Sequence, residues 1–372
     1  MDKKNKKYML LITGMVMGGA ERVMATIANE LVERGNEVIL VTMREPKSAY
    51  RLDKRVKFIG ANGILEAQGG IKRRLQLLVS GVKGVRFYIK QLKDNNPDIV
   101  ISFLTNTNLM AVAVNKLYLK DIPVIISERA DPKFRGKFMR RICEWIYPKS
   151  SCIVCQSNTV GKYFKEVNEK ATIEVIPNPI NEECISYKVP TKRRKIIVAV
   201  GRLSEQKNFQ LLINSFNLIK DEFKDYSVEI FGQGPEKENL LCLIRELDLE
   251  DNVRLMGIKD NVMKSVYDAS LYVMPSNFEG FPNALIEAMA SGLPVICTDF
   301  PTGTAREVIE DGINGYIVPV GGEKEMAGAM KSILLNSSLQ EKMSIENRKI
   351  LEILDKKKII DKWIDVMNKY MN

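Results

Sequence analysis

Not one of the 372 residues is a histidine. That absence removes every Ser-His or Cys-His pairing, every histidine metal site and every histidine general base. No Asp-x-Asp occurs, so no carboxylate pair of the kind that grips a metal–diphosphate is visible. No G-x-G-x-x-G follows an apolar run, which leaves the dinucleotide fingerprint absent and argues against a nicotinamide dehydrogenase. No apolar run approaches the roughly 18 residues of a membrane span. The apolar stretch Tyr8 to Thr13 is too short for a signal peptide and reads as a first buried strand behind a basic leader. Cysteines are few and scattered, and Cys152-Ile-Val-Cys155 lies in an apolar run with no second pair or histidine to complete a zinc site. They read as the reduced thiols of a cytosolic protein.

What is present fits two average domains of a soluble protein, with 45% hydrophobic and 27% charged residues. The charge is uneven. Residues 1–180 carry 31 Lys and Arg against 17 Asp and Glu, and residues 181–372 carry 25 against 29, within a chain of net charge +10. A first half at net +14 faces something anionic: phospholipid, a diphosphate or nucleic acid. The basic residues lack the interleaved aromatics of a nucleic-acid groove, which excludes nucleic acid as a partner.

Along the chain, apolar strand-like runs alternate with helical periodicity, and the expected fold is α/β with two Rossmann-like domains facing a central cleft. Residues 1–180 form the first domain, residues 190–355 the second, and the C-terminal helix 359–372 crosses back to the first. The stiff Pro177-Asn178-Pro179 marks the boundary. Gly18 and Gly19 follow the first strand, where they permit either a close ligand approach or merely a tight turn. A long segment from Ile71 to Lys93 keeps helical spacing, and its cations, Arg73 and Arg74 among them, stand without an acid. It suits an anionic bilayer surface, and equally an ordinary sheet-covering helix with a solvated basic back. A second basic helix is expected over 134–146, and in the second half a helix is expected over 262–269. Glu128 and Arg129 end a strand, where an open parallel sheet lines its ligand crevice.

In the second half Arg202 and Lys207 occupy the loop after the first strand. Asn277 to Pro294, NFEGFPNALIEAMASGLP, reads as loop, helix and turn between two strands, with Glu279 in the loop and Glu287 in the helix. Cations converging on a helix start make a diphosphate site, and Glu287 suits a ribose diol. Spacing alone also allows Glu287 a dipole role and Glu279 a solvated one.

These stretches carry a resemblance. GGAER, SERADP, PNPI, VGRLSEQKN and EGFPNALIEAMASGLPVI stand in order, and the chain resembles the family 4 glycosyltransferases of GT-B fold, over essentially its whole length. The resemblance implies a retaining, metal-independent transferase that takes a nucleotide-sugar, expected to be a UDP-sugar, and needs no cofactor. It implies that Arg202 and Lys207 bind the donor diphosphate, that Glu287 holds the ribose, and that Glu279 contacts the sugar. The donor site is completed by Gly18, Gly19, Gly257, Phe281, Pro282, Asn283, Ala284 and Leu285. Glu279, Arg202, Lys207 and Glu128 are the expected catalytic groups. Glu128 and Arg129 stand in for the first-domain histidine that many members carry and this chain lacks; with Arg73 and Arg74 they are the expected acceptor side. GGAER with SERADP is similar to members that build capsules, O-antigens or lipid-linked oligosaccharides, which implies a polyprenyl-diphosphate acceptor and a peripheral position on the inner face of the cell membrane. A soluble acceptor and a non-catalytic sugar-nucleotide binder are the alternatives.

Overall fold

The computed structural model describes residues 5–61, 73–118, 122–129 and 131–371, the side chains of 73–80 and of Glu182 excepted. It divides into two compact units, residues 1–178 with 357–372 and residues 179–356.

The first unit runs β1 (Lys7–Ile12), α1 (Gly19–Glu33), β2 (Glu37–Thr42), β3 (Lys57–Gly60), α2 (Arg73–Asn95), β4 (Ile99–Phe103), α3 (Thr105–Tyr118), β5 (Val124–Glu128), α4 (Lys137–Ile146), β6 (Cys152–Cys155), α5 (Asn158–Val167) and β7 (Ile173–Val175). The strands form one parallel sheet in the order β3-β2-β1-β4-β5-β6-β7. Its central strands are buried on both faces, which is why Met9–Ile12 and Ile99–Ile101 are continuous apolar runs rather than alternating ones. α1 presents Val23, Ile27 and Leu31 to the sheet at helical spacing. Cys152 and Cys155 are both buried in β6, and burial pushes the Cys152 thiol up to about 12, far from a reactive thiolate.

The second unit runs β8 (Arg194–Val200), α6 (Phe209–Asn217), β9 (Ser227–Phe231), α7 (Lys237–Glu246), β10 (Val253–Gly257), α8 (Val262–Val266), β11 (Ala269–Met274), α9 (Asn283–Ala290), β12 (Val295–Thr298), β13 (Gly315–Val318), α10 (Glu323–Leu334), α11 (Ser337–Arg348) and α12 (Ile350–Ile353). Its parallel sheet has the order β10-β9-β8-β11-β12-β13. In each sheet the direction of winding reverses once, between β1 and β4 in the first and between β8 and β11 in the second. Such a reversal leaves a crevice at the carboxyl ends of the two strands, because their following connections leave toward opposite sides.

Two elements depart from their expected bounds. The helix expected over 134–146 is a short 3-10 turn, Pro132–Phe134, followed by α4 from Lys137. The Asp131 carboxylate accepts the Lys133 N–H at 2.9 Å and closes that turn, and Gly136 restarts the helix in a non-helical conformation. The helix expected to reach Ala269 stops at Val266, because Ala269 is already paired with Arg194 in the sheet.

The last helix, α13 (Lys356–Tyr370), packs in the first unit. Trp363 is fully buried there, its ring centroid 5.5 Å from that of Phe103. Arg34 to Asp361 at 2.6 Å and Lys369 to Glu174 at 3.2 Å tie its exposed sides. Trp363→Ala should therefore destabilise the first unit by about 3–5 kcal/mol, the usual loss on emptying a large aromatic site. Denaturant titration of the full chain checks this; an unchanged midpoint would show that α13 is only loosely seated.

Candidate active site

The β8/β11 reversal brings together two loops separated by about seventy residues of chain. Lys207, after β8, places its ammonium 2.6 Å from a carboxylate oxygen of Glu279, after β11. The Ser276 hydroxyl donates to the same oxygen at 2.7 Å. Around this pair the loops are stitched directly. The Asn277 N–H donates to the Gln206 carbonyl at 2.8 Å, and the Gln206 amide donates to the Phe278 carbonyl at 3.0 Å. The Asn208 amide donates to the Asn277 side chain at 2.9 Å, and Asn277 in turn donates to the Glu205 carbonyl at 2.8 Å. Thr298, at the end of β12, donates to the Ser276 carbonyl at 2.5 Å. Glu279 is buried, at 7% exposure. The cation is thus held at the crevice by an acid and by a rigid polar frame.

Beside it, a cavity of about 270 Å³ lies at the ends of β8, β9 and β10, with Arg202, Gly201, Gly232, Gly257 and Ile258 in its wall. Arg202 is exposed at this site. Gly232, at φ +147°, lies so close beneath the β8 loop that a Cβ would sit 1.8 Å from the Gly201 carbonyl oxygen. Gly257 ends β10 at φ +73°, a conformation that glycine adopts without strain.

α9 begins at Asn283 after Pro282, which supplies no side-chain cap. Its first-turn amides, Ala284 and Leu285 among them, are therefore left to other partners. Phe281 and Asn283 are half-buried, and the Asn283 N–H is taken by the Phe281 carbonyl at 2.9 Å. Glu287 lies on the second turn, half-buried.

The first unit departs from several expectations. Gly18 does not leave open space: a Cβ there would lie 2.3 Å from the Glu21 carboxylate, and the Gly18 N–H is held by the Tyr50 hydroxyl at 3.0 Å. The close approach that this glycine permits is to its own helix. Gly19 is simply the first residue of α1. Burial raises the Glu21 carboxyl above its ordinary range, while its backbone hydrogen bond and the Arg129 charge pull it back.

Glu128 is not an available base. Its side chain is 1% exposed and is engaged by Arg135, whose guanidinium approaches at 2.5 Å. A carboxylate so placed braces Arg135, which also donates to the Thr105 hydroxyl at 2.8 Å. The Arg129 guanidinium lies 4.0 Å from the Phe103 ring centroid and 5.9 Å from that of Trp363, and donates to Asn178. Its Nε and Nη2 are buried and have no hydrogen-bond partner among the described residues. Arg73 and Arg74 open α2, and their side chains lie outside the described residues.

Sequence reasoning missed the stitching residues Gln206, Asn208, Ser276 and Asn277. The available signal was the run of amide and hydroxyl side chains directly after two apolar strands. It missed Arg135 as the partner of Glu128, which nothing in the spacing announces. Among the described residues no group of three or more His, Cys, Asp or Glu is gathered for a metal ion.

Removing one member of a partly buried pair strands the other, a loss of about 1–3 kcal/mol. Glu279→Ala should lower stability by that amount and Glu279→Gln by less, read by urea denaturation. Equal midpoints for both variants and the parent would mean that the pair is solvated.

Two family models match the chain in succession: "Glycosyltransferase Family 4" over residues 17–183 and "Glycosyl transferases group 1" over residues 183–350. An N-acetylgalactosamine-N,N'-diacetylbacillosaminyl-diphospho-undecaprenol 4-alpha-N-acetylgalactosaminyltransferase of Campylobacter jejuni is 29% identical over 370 residues, covering 95% of this chain and 97% of that protein. The same organism's GalNAc-alpha-(1->4)-GalNAc-alpha-(1->3)-diNAcBac-PP-undecaprenol alpha-1,4-N-acetyl-D-galactosaminyltransferase is 24% identical, covering 98% and 99%. Among solved structures, HepE of Anabaena, crystallised with UDP, superposes with a TM-score of 0.80 at 16% identity, covering 98% of this chain and all of that one.

Proposed function

Because the chain belongs to the family 4 glycosyltransferases, built from two parallel-sheet α/β domains of the GT-B kind, we propose that it moves a sugar from a UDP-sugar to a polyprenyl-diphosphate-linked glycan. The transfer retains anomeric configuration, uses no metal and serves surface polysaccharide or lipid-linked oligosaccharide synthesis. The enzyme works at the cytoplasmic face of the membrane, where it sits peripherally; no described helix is long and apolar enough to cross one.

One observation carries this reading: the Lys207–Glu279 pair at the strand reversal, flanked by the Arg202 cavity and by the uncapped start of α9. A nucleoside diphosphate fits this arrangement end to end. The flat base suits the cavity beside Gly257 and Ile258, Glu287 suits the ribose hydroxyls, and the α9 amides from Phe281 to Leu285 suit the phosphates. Arg202 and Lys207 meet the diphosphate charge, and Glu279, already beside Lys207, meets the sugar. The undecaprenol-linked acceptors in the Campylobacter names and the UDP of the Anabaena structure support the choice of substrates.

The chemistry follows from the charges. As the bond from the sugar C1 to the phosphate oxygen breaks, negative charge gathers on the leaving diphosphate. Fixed cations and helix amides stabilise that charge more in the transition state than in the ground state. The acceptor oxygen bonds to C1 on the face that the phosphate leaves. Its proton passes to the departing phosphate oxygen, so no histidine base is needed. Glu128 has no part in this step.

Lys207→Ala and Glu287→Ala should each lower transfer by about 100-fold or more while circular dichroism stays unchanged. A panel of nucleotide-sugars against an undecaprenyl-diphosphate glycan, followed by chromatography of the product, measures it. Normal turnover by either variant would sink the site assignment. Full activity in a chelator is expected, and loss restored by added Mn²⁺ would overturn metal independence.

A further inference from the structure

We propose that the exposed face of α4 is the surface with which this protein docks on an anionic lipid bilayer. The inference rests on the reading that the acceptor is membrane-borne, and it names the element that makes contact.

α4 is anchored by one side only. Cys143 is buried, and Tyr147 directly after the helix is buried with it. On the other side Phe138 is 78% exposed and Trp145 is 69% exposed. Seven residues apart, they share one face of the helix, about 10 Å apart along its axis. Phe134, in the preceding turn, is exposed as well. A soluble surface seldom leaves two aromatic rings this exposed on one face of a single helix.

Charge complementarity identifies that partner. Lys133, Lys137, Arg141 and Lys149 are exposed around these rings. The Lys149 ammonium sits 3.2 Å from the Trp145 ring centroid, which fixes the indole beside a cation. The one acid of the helix, Glu144, is engaged by Arg140 at 3.6 Å and by the Tyr163 hydroxyl. The face therefore offers aromatic rings together with cations that have no ion pair among the described residues, the composition of a helix that lies in the headgroup region of an anionic membrane. A second copy of the same face would meet it with like charge. The basic character continues past Trp145: Lys149 also lines a cavity of about 220 Å³ with Lys116, and exposed Leu117 and Tyr118 follow Lys116.

The test is co-sedimentation of the full chain with phosphatidylcholine vesicles, with and without phosphatidylglycerol. The parent should bind only the phosphatidylglycerol vesicles. Phe138→Ser with Trp145→Ser should weaken that binding by at least about tenfold at any salt concentration. Arg141→Gln with Lys149→Gln should weaken it by about tenfold or more at low salt, a difference that fades at high salt. Transfer to a water-soluble acceptor analogue should be unchanged in both double variants. Parent-like vesicle binding by the aromatic double variant would overturn this inference and leave the membrane-borne acceptor standing. A parent that binds no vesicle yet transfers to the soluble analogue would overturn both. A dimer of the parent that dissociates in the aromatic double variant would assign the face to a second copy, and would also overturn it.

Discussion

The second unit depends on one ion pair at one topological position. Parallel strands send their connections out at the same edge of the sheet, and only where the winding reverses do two such connections part and leave room. Lys207 and Glu279 meet at that point from loops far apart in sequence. The Lys207 side chain is partly buried, at 17% exposure, beside the more deeply buried Glu279. The carboxylate, the Ser276 hydroxyl and the cross-loop amide bonds supply the polar surroundings that water would otherwise give. The outcome is a positive charge fixed in place, the arrangement that the proposed stabilisation of a leaving diphosphate calls for.

The first unit shows the opposite use of charge. Two of its acids are turned inward: Glu128 is spent on Arg135, and Glu21 folds against Gly18. Cations on α4 and along the connections around it, Lys133, Lys137, Arg141 and Lys149, are left outward. The net +14 of residues 1–180 is thus not evenly spread. It includes a face whose acid is neutralised locally and whose bases are not.

Much of this was legible in the sequence because burial on both faces leaves continuous apolar runs. Tyr8 to Ile12 and Ile99 to Phe103 are strands on that ground alone. Glycine and proline marked the turns, and the order of cations, helix start and glutamates marked the candidate site. What stayed hidden depended on contacts between distant segments. Nothing in SERADP says that Glu128 will be claimed by Arg135, and nothing in GGAER says that Gly18 makes room for Glu21. Ala269 joins a strand rather than a helix because Arg194, far away in the chain, pairs with it. Periodicity over 134–146 suggested one continuous helix, but Asp131 and Gly136 reset the backbone locally. The exposure of Phe138 and Trp145 was equally hidden, since an aromatic residue at helical spacing normally faces the core.

The placement of α13 has a temporal side. The segment that covers Phe103 is made after residues 179–356, which form a unit from one continuous stretch. During synthesis the second unit has all its strands while the first still lacks the helix that carries Trp363. The nascent first sheet therefore waits, with Phe103 uncovered, through nearly half of the synthesis of these residues, and reaches its final packing only after the later-made unit has its full sequence.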